Sequence, residues 1–287
     1  MLTSAKYNML HPPLIERIYA EESKRGSKNL DKAVKTRLHQ MFGAYTQGNS
    51  HKKAIALLDE MDNDGQAIGN LRKPIVEPVF ATEIFGECRK SGKYEAGFRR
   101  LPISAQVMAL HASTKERLPY IKDFYNFIAH HTGNFQTILD LGCGFNPFSI
   151  PFIPTPELKS YHAYDIDTRT SNILNRFFAH LNLPQAAACA DLIVDTPSEK
   201  VDLALMCKLV PVLESQAGGR GFELARQLNA NFLTITYPLK SLGGREKGMG
   251  KNYAAQFEQA VESGALGDYT VIASCEIGNE LIYICKK

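Results

Sequence analysis

The stretch Ile138-Leu139-Asp140-Leu141-Gly142-Cys143-Gly144 brings together residues suited to holding a ligand. An apolar run that ends in Gly-x-Gly predicts a buried strand leading into a turn at the carboxyl edge of a parallel sheet, where ligands of such sheets bind. Glycines there let the backbone approach a ligand where any Cβ would collide. A dinucleotide fingerprint needs a third glycine where this chain has Pro147, so the spacing fits a methyltransferase cofactor site better than a nicotinamide site.

Two acids at successive strand ends strengthen this reading. Asp165 closes the strand at 161–165, where a carboxylate can accept hydrogen bonds from both hydroxyls of a ribose. Asp191 follows the strand at 186–190; an acid there can meet an adenine amino group while Leu192 covers the ring. Asp167 reads instead as a helix N-cap. The tripeptide Asn146-Pro147-Phe148 resembles the Asn-Pro-Pro-Tyr element that grips exocyclic amines, but that element belongs after the fourth strand. There the chain reads Leu205-Met206-Cys207-Lys208-Leu209-Val210-Pro211, with no carboxylate or amide. This argues against amino-group methylation and is neutral toward a ring nitrogen.

The elements that position these residues follow from hydrophobic patterning. Strands are predicted at 137–141, 161–165, 186–190, 201–206, 231–237, 269–275 and 281–286, with helices separating the first five. The last two are joined over Gly278-Asn279 and form a hairpin. The fold class is therefore α/β: a Rossmann-like class I methyltransferase sheet, five parallel strands closed by an antiparallel hairpin, behind an N-terminal helical domain. Residues 1–110 and 111–287 are the two domains. In the first, Leu14, Ile15, Ile18 and Tyr19 recur at helical spacing, as do Val34, Leu38, Met41 and Phe42. Residues 59–105, rich in Gly, Pro and charge, read as loops with short helices. Ser113 and Glu116 have capping-box spacing, which starts a helix at Thr114. Pro119 suits the first helical position, so the helix near 119–131 either starts there or is kinked there.

Composition narrows the class of protein. With 44% hydrophobic and 22% charged residues, the chain is ordinary for a soluble globular protein. No apolar run is long enough to span a membrane, and the N-terminus lacks the apolar core of an export signal. The six cysteines form no CxxC pair, and we expect reduced thiols in a cytoplasmic protein with neither zinc nor disulfides. Residues 1–53 hold ten Lys or Arg against four Asp or Glu, while the remainder of the chain is net negative. A basic front end on a near-neutral body suggests an anionic partner.

Five segments together resemble a known family, the bacterial 16S rRNA (guanine(1405)-N(7))-methyltransferases that confer aminoglycoside resistance. They are Lys35-Thr36-Arg37-Leu38-His39 with Gly43-Ala44-Tyr45; His111 to Leu118; Leu139 to Phe148; Lys208 to Gln216; and Tyr237 to Tyr253. Ile277 to Tyr283 resembles the family's closing hairpin. The resemblance spans nearly the whole chain except about 50–105, where this sequence looks longer and nothing is carried over. It implies S-adenosyl-L-methionine as cofactor, with Arg117 matching the arginine that pairs with the methionine carboxylate, a task suited to a planar bidentate donor. His111, Ala112, Ser113, Gly142, Asp165, Asp191, Leu192, Cys207 and Gln216 match further cofactor-lining positions, and Tyr45 matches an aromatic from the N-terminal domain.

The resemblance also implies 16S rRNA within the 30S subunit as substrate. Guanine N7 is an unprotonated ring nitrogen, so methyl transfer to it requires no general base and no catalytic residue is nominated. Extruding a base from duplex rRNA needs grip on phosphates. Candidate RNA-binding residues are Lys32, Lys35 and Arg37 in the N-terminal domain and Lys208 at the end of the fourth strand. Arg245 and Lys247, in a glycine-rich loop with Lys240 and Lys251, complete the set. A monomer without metal is expected. Two alternatives stay open: adenine-N1 methylation at the same drug site, and a cofactor-binding ribosome factor that does not catalyse.

Overall fold

The computed structural model describes residues 7, 9–42, 49–63, 101–155, 157–240 and 249–287. Three helices come first: α1 (Pro12–Lys24), α2 (Leu30–Phe42) and α3 (Ser50–Asn63). After residue 100 follow α4 (Ile103–Met108), α5 (Ala112–Arg117) and α6 (Ile121–Thr132). Then β1 (Thr137–Leu141), β2 (Ser160–Asp165), α7 (Thr168–His180), β3 (Ala187–Cys189) and β4 (Val201–Cys207) build one half of a sheet. The other half consists of α8 (Val210–Gln216), α9 (Arg220–Gln227), β5 (Ala230–Pro238), α10 (Met249–Glu262), β6 (Thr270–Ile277) and β7 (Glu280–Lys286).

The seven strands run in the order β3-β2-β1-β4-β5-β7-β6. The first five are parallel, and β7 pairs antiparallel with both β5 and β6. This is the predicted layout, with every strand end within two residues of its expected position. Central strands are buried on both faces, as parallel sheets require. Neighbouring residues alternate between two cores: Ile138, Leu203 and Leu205 join one, while Leu139, Leu141, Ala204 and Met206 join the other.

Two local expectations need correction. No helix lies between β3 and β4. There the Asp191 carboxylate accepts the Ile193 N–H, and the Asp195 carboxylate accepts the Asp191 N–H. Such short-range side-chain bonds compete with the helical ladder. The capping box fails as well, because α5 starts at Ala112 behind His111. Thr114 Oγ1 donates to the Met108 carbonyl at 2.6 Å, and Glu116 turns away to Lys208. Pro119 sits in a 3-10 turn (Leu118–Tyr120) between α5 and α6, so the helical path is kinked there. Residues 59–63, at the start of the stretch read as loops with short helices, complete α3.

The N-terminal helices divide between two environments. Leu14 and Ile18 of α1 pack on Val34 and Leu38 of α2 in a small core of their own. Ala54, Leu58 and Met61 of α3 instead join the core on one face of the sheet. The segment before α1 is stitched to the turn after β2: the His11 N–H donates to the Ile166 carbonyl and the Thr168 N–H to the Met9 carbonyl, both at 2.9 Å. The helical front end is therefore fastened to the sheet edge that carries the site.

Candidate functional site

Gly142 and Gly144 follow β1 with φ of +63° and +51°, in the left-handed region that side chains disfavour. A Cβ on Gly142 would lie 2.8 Å from Leu209 Cδ1, and one on Gly144 2.9 Å from His111 Cε1. The turn is thus a cradle of bare backbone. Asp165, at the end of the adjacent β2, braces it by accepting the Gly144 N–H on Oδ2 and the Asp167 N–H on Oδ1, each at 2.9 Å. Desolvation pushes the Asp165 carboxyl up to about 6, although backbone N–H groups pull the other way. Asp167 caps α7 as expected, accepting the Arg169 N–H.

A single pocket along this edge collects His111, Ser113, Arg117, Gly142, Asp165, Asp191, Leu192, Cys207, Lys208 and Gln216. Ala112 opens α5 outside its lining, and Tyr45, Arg245 and Lys247 lie outside the described residues. Lys32 and Arg37 line a second, polar groove with Arg25 and Lys28, which meets the first pocket at Met41 and Gln216. Lys35 is exposed on α2, away from that groove. Arg37 is already paired, at 2.5 Å to Glu21 and 3.2 Å to Glu22.

The cations around the pocket are neutralised. Arg117 is fully buried and grips Glu280 with two parallel bonds of 2.9 and 2.8 Å, while its Nη1 donates to Asn146 Oδ1 at 2.8 Å. Among the described residues three of its five N–H groups are engaged, which leaves two for a ligand. Lys208 Nζ lies 2.7 Å from Glu116 and 3.6 Å from Glu280. Its φ of +56° is rare for a residue with a side chain, and conformations of this kind cluster at functional sites. Burial, helped by the charges of His51, Arg117 and Lys208, pushes His111 down to about 4, so its ring is neutral at pH 7. The Cys207 thiol is pushed up to about 12, foremost by burial, and so stays protonated and non-nucleophilic.

Four residues of the site escape sequence reasoning. Glu280 and Arg17 act across 163 and 174 residues of chain, on Arg117 and Asp191 respectively. Asn146, set aside in the sequence as a false amine-binding element, is buried and links Arg117 to Asp140, to which its Nδ2 donates at 2.8 Å. His51 of α3 lines the pocket, 3.1 Å from Thr170 Oγ1. Only Asn146 carried a local signal, its place directly after the glycine turn. Among the described residues no group of His, Cys, Asp or Glu could hold a metal ion, and no helix is long and apolar enough to cross a membrane.

The donor set fits a nucleoside carrying an amino acid: carboxylates at two adjacent strand ends, a glycine cradle, and an arginine with free N–H groups at the far side. Comparison with known proteins points the same way. A family described as "Ribosomal RNA methyltransferase (FmrO)" matches residues 101–284. The 16S rRNA (guanine(1405)-N(7))-methyltransferase of Micromonospora echinospora is 31% identical over 99% of this chain and 93% of its own length. That of Serratia marcescens is 31% identical over 100% of this chain and 96% of its own. Among solved structures, the 16S rRNA methyltransferase RmtF in complex with S-adenosyl-L-homocysteine superposes with a TM-score of 0.75 at 29% identity, covering 99% of this chain and 94% of that one. The 16S rRNA methylase RmtB gives 0.73 at 28% identity, covering 100% and 95%.

Proposed function

The chain belongs to the FmrO family of ribosomal RNA methyltransferases, and from that membership we propose that it methylates N7 of guanine 1405 in 16S rRNA, using S-adenosyl-L-methionine. The substrate is the rRNA assembled in the 30S subunit, and the enzyme works in the cytoplasm as a monomer without metal. The product carries a fixed positive charge at the drug site, which repels aminoglycoside ammonium groups and confers resistance. The reading rests on one observation above the others: Arg117, Asp165 and Asp191, from three separate stretches of chain, converge on one pocket.

When bound, the cofactor supplies an electrophilic methyl group on a sulfonium. Arg117 takes the methionine carboxylate on its two free N–H groups. Asp165 accepts the ribose hydroxyls on its remaining lone pairs, and Asp191 and Leu192 take the adenine amino group and ring face. His111, Ser113, Cys207 and Gln216 line the same pocket, and family resemblance adds Ala112 and Tyr45 to the cofactor contacts. His111 stays neutral and the two nearest cations are paired with carboxylates, so no unpaired positive charge from these groups opposes the sulfonium. Guanine N7 presents an in-plane lone pair and no proton, so the chain's task is alignment. Lys208 exchanges Glu116 for a phosphate or purine oxygen when RNA arrives.

Transfer of a tritiated methyl group to intact small subunits, followed by primer extension after cleavage at N7-methylguanine, tests the reaction. Cleavage at guanine 1405 is the expected result; methylation without it overturns the target. For RNA contacts, Lys32→Ala with Lys35→Ala should weaken subunit binding and make the slope of log affinity against log salt shallower by roughly 1 to 2. Cofactor affinity, measured by calorimetry, should stay unchanged. An unaltered salt slope would remove both lysines from the interface.

The Asp165 carboxyl, raised to about 6, gives a pH dependence. Affinity for S-adenosyl-L-homocysteine should fall as pH drops through 6, because the protonated acid loses acceptor capacity, and Asp165→Asn should flatten the profile. Asp140, also raised to about 6 by burial, and Asp165 both bind protons in the folded state before the unfolded one. Between pH 6 and 4 these two groups therefore favour folding on acidification, and unfolding through them does not mimic the binding loss.

A further inference from the structure

Outside the pocket lining, one residue that neither the glycine turn nor the strand-end acids account for grips Asp191 and Gln216. Arg17 lies in the middle of α1, and its guanidinium crosses to the end of β3. There Nε donates to Asp191 Oδ2 at 2.7 Å and Nη2 to Asp191 Oδ1 at 3.3 Å. The same Nη2 lies 3.4 Å from Gln216 Oε1 at the end of α8, and Nη1 donates to Glu21 at 2.8 Å. The pair is sheltered: side-chain exposure is 14% for Arg17 and 3% for Asp191. Glu21 is in turn held by Arg37 of α2, which fixes the guanidinium from behind.

The helix that carries Arg17 has its own fastening to the site. The stitches from Met9 and His11 to Ile166 and Thr168 lock the start of α1 against the turn that follows Asp165. From that anchor α1 reaches the next strand end, so one helix spans the turn beside the ribose acid and the adenine acid. Arginine is a donor only. It therefore engages the Asp191 carboxylate as an acceptor and takes the carbonyl of Gln216, leaving the amide nitrogen of Gln216 as its donor. Asp191 Oδ1 accepts from both Arg17 and the Ile193 N–H. Among the described residues Asp191 Oδ2 has Arg17 as its one donor, and a lone pair there stays open to an amino group.

We propose that Arg17 is a positioning residue of the cofactor site. It fixes the Asp191 carboxylate and the Gln216 side chain at the adenine end and so sets the preference for a 6-amino over a 6-oxo purine. This rests on the reading of Asp191 as the acceptor for the adenine amino group, and the experiment separates the two. Calorimetry compares S-adenosyl-L-homocysteine with S-inosyl-L-homocysteine on the full chain, for the natural sequence, Asp191→Asn, Arg17→Ala and Arg17→Lys. The natural sequence should prefer the adenosyl compound by about ten- to a hundredfold, the worth of one hydrogen bond to a charged group. Asp191→Asn, which adds a donor, should erase or invert that preference. Arg17→Ala should remove most of it while affinity for the inosyl compound changes little, and Arg17→Lys, which keeps the charge without the fork, should restore part of it. Equal weakening of both nucleosides by Arg17→Ala, with Arg17→Lys showing the natural preference, would make Arg17 merely structural and overturn the proposal. A preference lost in Asp191→Asn but intact in Arg17→Ala overturns the role of Arg17 alone. A preference intact in Asp191→Asn overturns the adenine reading as well.

Discussion

Glu280→Ala is expected to lower the free energy of unfolding by about 3–5 kcal/mol, the usual loss when one partner of a buried ion pair is removed. The carboxylate serves three groups at once. It takes two bonds from Arg117, accepts from Thr236 Oγ1 at 2.8 Å, and lies 3.6 Å from Lys208. Both members of the Arg117 pair are almost fully shielded, with side-chain exposures of 2% and 3%. Truncation therefore strands a guanidinium that is almost wholly shielded on its Glu280 side. Glu280→Gln retains an acceptor for Arg117 and should cost less. Burial alone would raise the Glu280 carboxyl, but the charges of Arg117 and Lys208 and the bonds from Arg117 and Thr236 hold it below its ordinary value. The sign follows: its contribution is present above the unfolded value and is lost as pH falls through the folded one. The difference between natural and variant chains should then shrink in acid. Urea denaturation at pH 7.5 and pH 4 measures both effects. A loss below about 1 kcal/mol at pH 7.5, the range of an exposed pair, would refute the account.

The site was legible in the sequence where its residues announce themselves locally. A β1 that is apolar on both faces, a Gly-x-Gly turn and acids at two strand ends are each set by their own stretch of chain. The structure sets Gly142, Asp165 and Asp191 at one edge, as the strand assignments imply. Resemblance added Arg117, Cys207 and Gln216, which composition and periodicity alone would have left as surface or core. What stayed hidden is the set of partners. Glu280 sits at the start of a hairpin strand, and its pattern there says only that it lies at an element's end. Nothing near it in sequence signals Arg117, because their contact is made by closing the sheet with β7 beside β5. Arg17 likewise has the spacing of a solvated helix face, with Glu21 four residues on, and becomes a site residue only when α1 docks on the sheet edge. The division of the first hundred residues was also out of reach. Helical spacing marks α1 and α2 but does not say which core each face will join, and α3, which no such spacing marked, packs on the sheet.

Arg117 faces two ways, toward Glu280 and toward the pocket, and its substitution should separate those duties. Arg117→Ala is expected to weaken S-adenosyl-L-homocysteine binding by about tenfold to a hundredfold, the worth of hydrogen bonds to a charged group. It also leaves Glu280 buried with Lys208 as its one nearby cation among the described residues, so a fall in melting temperature should accompany the loss. Arg117→Lys is the sharper probe. An ammonium can still neutralise Glu280, but it cannot hold Glu280, Asn146 and a ligand carboxylate together, because it lacks the planar fork. Stability should then recover more than affinity does. Methylthioadenosine, which carries the nucleoside without the amino acid, supplies the control. If Arg117 binds the methionine carboxylate, both variants should discriminate against S-adenosyl-L-homocysteine and leave methylthioadenosine affinity within about twofold, the scatter of near-neutral changes. Parallel losses for the two ligands would mean that Arg117 shapes the pocket through Glu280 and Asn146 and leaves the carboxylate to another group. The ratio of the two affinities, rather than either alone, is the quantity that decides, since any general loosening of the fold cancels from it.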